Sequence, residues 1–70
     1  MRITYTQHAE DRMIKRNVSK EEIEYSLRHP IRIRKMYGVY YALAELHRGK
    51  IEIVYEKGEN YINVITFYWL

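Results

Sequence analysis

Apolar positions recur with two different periods along this chain, and the change falls at Pro30. Arg2–Tyr5 alternates and reads as a short first strand. Gln7–Arg16 then carries Ala9 and Met13 four residues apart, the spacing of one helix face. Thr6 stands at the N-cap position. Glu10 and Asp11 lie near the positive end of this helix, Lys15 and Arg16 near its negative end. Asn17 is expected to close it in a left-handed conformation. A second helix opens at Ser19, where "SKEE" sets Glu22 three residues on and makes a capping box. Ile23, Ser26, Leu27 and Pro30 give its inward stripe. Pro30 cannot continue the helix and holds His29 extended, so the helix is predicted to stop near Arg28.

Beyond Pro30 the pattern is that of strands. "IRIRKMY" alternates up to a turn at Gly38, "VYYALAELH" runs to "RGK", "IEIVYE" to "KGEN", and "YINVITFYWL" to the C-terminus. The expected fold is α+β, in the order β-α-α-β-β-β-β, with two N-terminal helices packed on one face of a twisted antiparallel sheet. The last strand is apolar or aromatic on both faces, with Ile62, Val64, Tyr68 and Leu70 alternating with Ile65, Phe67 and Trp69. Such a strand is expected either at the centre of the sheet or at an edge with a cover.

Seventy residues make one domain, 1–70, with room for a single small core. A chain of this size buries only about 60% of its unfolded surface, so its stability is marginal. There is no cysteine, which suits a reducing compartment. No apolar run approaches the roughly 18 residues of a membrane span, and the N-terminus lacks a signal-peptide pattern. The cytoplasm is the expected location, with no membrane partner. Charge is unevenly placed: residues 1–35 hold nine Lys and Arg against five Asp and Glu, and residues 36–70 hold three against four. A local basic surface is the implication.

Two clusters are candidates for chemistry. On the first helix, His8, Arg12 and Arg16 form one row flanking the Ala9–Met13 stripe, at the boundary of core and solvent. The row is open to two readings. It is a rim whose arginines pair with carboxylates, or a wall whose guanidinium forks grip phosphate oxygens. The second cluster is "RHPIRIRK", with Arg28, Arg32, Arg34 and Lys35 and no acid. Extended, it sets Arg32 and Arg34 on one face and Ile31 and Ile33 on the other. That is either a charged guard on a strand edge or a track for a nucleic-acid backbone, with Tyr37, Tyr40 or Tyr41 offering stacking faces. Glu45, Glu52 and Glu56 are expected to alternate outward. No phosphate loop, cysteine nucleophile or metal-ligand spacing is present in the sequence, and no cofactor or metal is implied.

"YTQHAEDRMIKRNVSKEEIEYSLRHP", followed by a β-meander ending in "INVITFY", resembles the family catalogued as domain of unknown function 4258. Thr6, His8, Ala9, Arg12, Arg16, Ser19, Ile23 and Pro30 carry the likeness, which spans nearly the whole chain. The element order is also similar to that of the RelE-like toxins, small metal-independent ribonucleases paired with antitoxins. That second resemblance implies cleavage of RNA, including ribosome-bound mRNA, by 2′-OH attack on phosphate. His8 would then be base or acid, Arg12 and Arg16 the charge stabilisers, and Tyr68 a second proton donor. A cognate antitoxin would be the protein partner. The alternatives are a non-catalytic nucleic-acid- or protein-binding module, and a domain that self-associates as a homodimer through its last strand.

Overall fold

The two helices bridge opposite edges of one five-stranded sheet. The computed structural model describes all residues from Met1 to Leu70. The elements are β1 (Arg2–Tyr5), α1 (Gln7–Arg16), α2 (Lys20–Arg28), β2 (Arg32–Met36), β3 (Val39–Leu46), β4 (Gly49–Lys57) and β5 (Tyr61–Trp69). This is the expected α+β order, and the strands lie side by side as β1-β5-β4-β3-β2. With β1 and β2 at opposite edges, the helix pair must cross the sheet between them, and it crosses on one face. α1 packs on β5 and β1, and α2 on β3 and β4. No helix packs on β2, whose five residues are all exposed.

One pairing departs from the antiparallel expectation: β1 runs parallel to β5, from Arg2 opposite Tyr61 to Tyr5 opposite Val64. The helices carry the chain to the far edge and four antiparallel strands bring it back, arriving beside β1 in the same direction.

The helix ends follow the local chemistry. The Thr6 hydroxyl accepts the Ala9 amide at 3.0 Å, and Asn17 closes α1 at φ 54° and ψ 50°. Ser19 and Glu22 complete a reciprocal capping box on α2. Arg48, in the turn between β3 and β4, reaches across to this corner. It donates to Glu22 at 2.8 Å and to the Asn17 carbonyl at 3.0 Å, with its guanidinium 5.2 Å from the Trp69 ring. The core lies between the helices and the sheet. Ala9, Met13 and Ile23 face Ala42, Ala44, Ile51, Ile53, Ile62, Val64 and Phe67.

A β-bulge corrects the alternation expected for the last strand. Tyr55 pairs with Val64 but Val54 pairs with Thr66, which leaves Ile65 as the extra residue. Its parity is therefore reversed midway. Ile62, Val64, Phe67 and Trp69 lie on the helix side, whereas Thr66 and Tyr68 face away from it. The Ile65 carbonyl accepts the Thr6 hydroxyl at 2.7 Å, so the bulge is tied to the start of α1. β5 is central over 61–64, between β1 and β4, and α1 runs beside the rest. The edge of this strand is thus paired by β1 over 61–64 and flanked by α1 beyond, while Thr66 and Tyr68 lie on the uncovered face.

Candidate functional site

The face of the sheet turned away from the helices carries its own small cluster. Register sets Arg34 beside Tyr41, Tyr41 beside Val54, and Val54 beside Thr66. The next row runs from Arg32 through Leu43 and Glu52 to Tyr68. Leu43, Glu52 and Val54 are buried here with no helix over them. Glu52 is only 7% exposed. A buried carboxylate must be paired or hydrogen-bonded. Its Oε1 accepts the Tyr68 hydroxyl at 2.6 Å and lies 3.5 Å from Arg34 Nη2. Arg34 in turn stands 5.0 Å from the Tyr41 ring centroid. The hydrogen bond to Glu52, with burial and the carboxylate charge, raises the Tyr68 pKa above its usual 10.0. The Tyr68 proton is therefore committed to Glu52.

A polar row completes this face toward β1. Asn63 donates to Glu56 at 3.1 Å and accepts the Thr4 hydroxyl at 2.9 Å. Three glutamates, Glu45, Glu52 and Glu56, share the face with Arg32 and Arg34. It is not a uniformly basic surface.

The α1 row lies along the side of β5 that β1 leaves unpaired. Arg12 is half-buried and its Nε donates to the Phe67 carbonyl at 3.0 Å, one residue before Tyr68. Its guanidinium is 5.9 Å from the Phe67 ring. His8 and Arg16 are exposed. Neither Arg12 nor Arg16 has a carboxylate within 4.0 Å, because the ion pairs of the fold are Arg34–Glu52 and Arg48–Glu22. The structure thus brings Arg12 to the edge of β5 next to Tyr68, although the Tyr68 side chain stands on the uncovered face. His8, Arg12, Arg16 and Tyr68 make no hydrogen bond to one another.

The second basic cluster divides. Arg32 and Arg34 are on the uncovered face, with Ile33 opposite Ala42 on the other side, as strand alternation requires. Lys35 lies opposite Tyr40 on the helix side, its Nζ 5.3 Å from that ring, and Lys57 approaches the same ring at 5.8 Å. Arg28 is at the C-terminal end of α2, exposed, where it complements the helix dipole. The four cations are not one track.

An open groove of about 340 Å³ lies elsewhere, between α1 and the start of α2. Met13, Ile14 and Val18 form its floor, and Glu10 and Asp11 stand on its rim. At 100° per residue these acids are on the flank of α1 away from Arg12 and Arg16. Lys20 also lines the groove, but two carboxylates against one cation make it a poor seat for a phosphate.

A family model described as "Domain of unknown function (DUF4258)" matches residues 5–69. The chain belongs to this family. The match begins at Tyr5 and ends at Trp69, so it takes in both the α1 row and the sheet cluster of this DUF4258 domain. No curated protein and no solved structure matches the chain.

Glu52 is the member of the cluster that sequence reasoning missed. In "IEIVYE" it reads as one more outward glutamate. Outward it is, but buried, because Leu43 and Tyr68 flank it across the sheet. Only the register of three strands, with the bulge at Ile65, reveals that neighbourhood.

Proposed function

We propose that this DUF4258 domain binds single-stranded RNA across the uncovered face of its sheet. One observation carries the reading. Arginines without carboxylate partners stand on both sides of an aromatic and apolar centre: Arg12 and Arg16 beside β5, Arg32 on β2, and Tyr41, Leu43, Val54 and Tyr68 between them. Guanidinium forks hold phosphate oxygens bidentately, and aromatic faces stack unpaired bases. β5 and β2 are three strand spacings apart, about 14 Å. A strand of RNA crossing the sheet would reach both rims with its phosphates. The interspersed carboxylates suit base edges, which carry N–H donors, better than they suit a phosphate backbone.

A second reading has its own support, in Arg12. Pinned through Nε to the Phe67 carbonyl, this side chain keeps its Nη donors at the β5 edge. In a RelE-like ribonuclease they would stabilise a phosphorane-like transition state. The ribose 2′-oxygen would bond to phosphorus while the P–O5′ bond breaks. His8 would take the 2′ proton and a second group would protonate the 5′ oxygen. Tyr68 fills that second role only once its proton leaves Glu52. On this reading the domain is a toxin, and its antitoxin would cover the same face.

Incubating the protein with labelled single-stranded RNA and excess chelator separates the two readings. Retarded but intact RNA, released as salt rises, supports the binding module. Chelator-resistant fragments with 2′,3′-cyclic phosphate ends, lost in an Arg12→Ala, Arg16→Ala double mutant, support the ribonuclease. Neither retention nor cleavage, with ribosomes absent and then present, overturns both.

A further inference from the structure

The hairpin joining β2 to β3 holds a side chain with no structural duty. Met36 pairs with Val39, so Tyr37 and Gly38 are the whole turn. Both have positive φ, 52° and 81°, as a type I′ turn demands. Glycine meets that demand freely and asparagine nearly so, whereas an aromatic residue pays a steric cost at the first position. The ring does not recover this cost in packing, because Tyr37 is 97% exposed. No aromatic or cation–π contact involves it, and its hydroxyl has no hydrogen-bond partner.

The surroundings of the ring indicate what it meets. Along β2 and through β3 as far as Ala44 the chain holds Arg32, Arg34 and Lys35 and no acid. Arg34 and Met36, on the uncovered face, lead directly into the turn, and Arg34 Nη1 lies 3.7 Å from the Met36 sulfur. Arg34, Lys35 and Lys57 stand at this end of the sheet with Glu56 and Glu59, a cationic excess, and an exposed π face beside them suits an anionic partner with flat apolar groups. We infer that Tyr37 is a base-stacking finger, extending the RNA-binding face beyond the sheet by one unpaired nucleotide at the hairpin tip. This deepens the RNA-binding reading and rests on it.

The strain and the function predict opposite signs for one substitution. Tyr37→Asn suits the left-handed backbone and removes no packing, so it should raise Tm by about 4 °C. It should also weaken binding of a fluorescein-labelled single-stranded 12-mer RNA about tenfold, measured by anisotropy. Tyr37→Phe keeps the ring and should bind within about twofold of the wild type. Arg32→Ala, on the sheet itself and without a carboxylate partner, serves as the control for the parent reading.

Unchanged affinity in Tyr37→Asn, with Arg32→Ala weakened, overturns the finger and leaves the sheet-face reading standing. A lowered Tm in Tyr37→Asn contradicts the claim that the fold carries this ring at a cost. Wild-type protein that does not bind the RNA at low salt overturns both the finger and its parent reading.

Discussion

Tyr68 and Glu52 stand directly opposite each other on β5 and β4, and the tyrosine hydroxyl donates to the carboxylate at 2.6 Å. The contact exists because the bulge at Ile65 turns Tyr68 out of the core side and onto the face where Glu52 lies. It gives a buried carboxylate a hydrogen-bond donor and fixes the aromatic ring beside it. Tyr68→Phe leaves that carboxylate with Arg34 alone, 3.5 Å away. The expected loss is about 1–3 kcal/mol of unfolding free energy, the cost of stranding a buried acceptor. In a Glu52→Leu background the same change should cost much less. Urea unfolding of the four proteins measures the coupling, and additive effects would mean that the hydrogen bond contributes nothing.

Thr6 connects the first helix to the bulge. Its hydroxyl accepts the Ala9 amide and donates to the Ile65 carbonyl, so one side chain satisfies two backbone groups. Thr6→Ala should lower stability by about 1–2 kcal/mol. In a domain of this size each kcal/mol moves Tm by about 4–8 °C. Thr6→Ser keeps the oxygen and should recover most of the loss. Thermal melts of the two variants decide it.

Much of this fold was legible in local chemistry. Thr6, Asn17, Ser19, Glu22 and Pro30 announce the helix boundaries through side-chain oxygens, a left-handed closure and a missing amide, and α1 and α2 end where those residues place them. The face of β2 that carries Arg32 and Arg34 follows from simple alternation. What was not legible depends on pairs far apart in the chain. Nothing local marks Ile65 as a bulge, and simple alternation puts Tyr68 on the same face as Ile62 and Val64. Nothing local puts Glu52 between Leu43 and Tyr68, or β1 parallel to β5. The α1 row was legible as a row. That Arg12 would spend its Nε on a backbone carbonyl of β5 was not.

Glu22 contributes to the loss of stability in acid. Its pKa is lowered below the usual 4.5, first by the Ser19 amide and then by Arg48, against an opposing effect of burial. A lowered folded pKa means that the stabilisation is present above about pH 4.5 and disappears as pH falls through the folded value. Glu22→Ala should therefore lower Tm at pH 7 and change it little at pH 3. Calorimetry at the two pH values checks this, and an equal shift at both would assign the effect to helix propensity instead.

The alkaline limb belongs to tyrosines. Burial pushes Tyr5 up to about 12, with Glu24 and Glu21 adding to the effect. Tyr55 is also raised by burial, and Tyr68 by Glu52. A raised folded pKa means that the unfolded chain loses these protons first, so stability is full below pH 10 and falls as pH rises beyond it. Ultraviolet titration should show tyrosines ionising well above pH 10 in the folded protein, and Tyr5→Phe should soften the decline in Tm between pH 10 and 11.

The proposed RNA-binding face is tested most directly by titrating ¹⁵N-labelled protein with a single-stranded 12-mer RNA and following the backbone amides. Shifts should gather on Arg32–Met36, Tyr41–Leu43, Glu52–Val54 and Thr66–Tyr68, and along α1 at Arg12 and Arg16. Shifts confined to the groove beside Glu10 and Ile14, or none at saturating RNA in low salt, would contradict it.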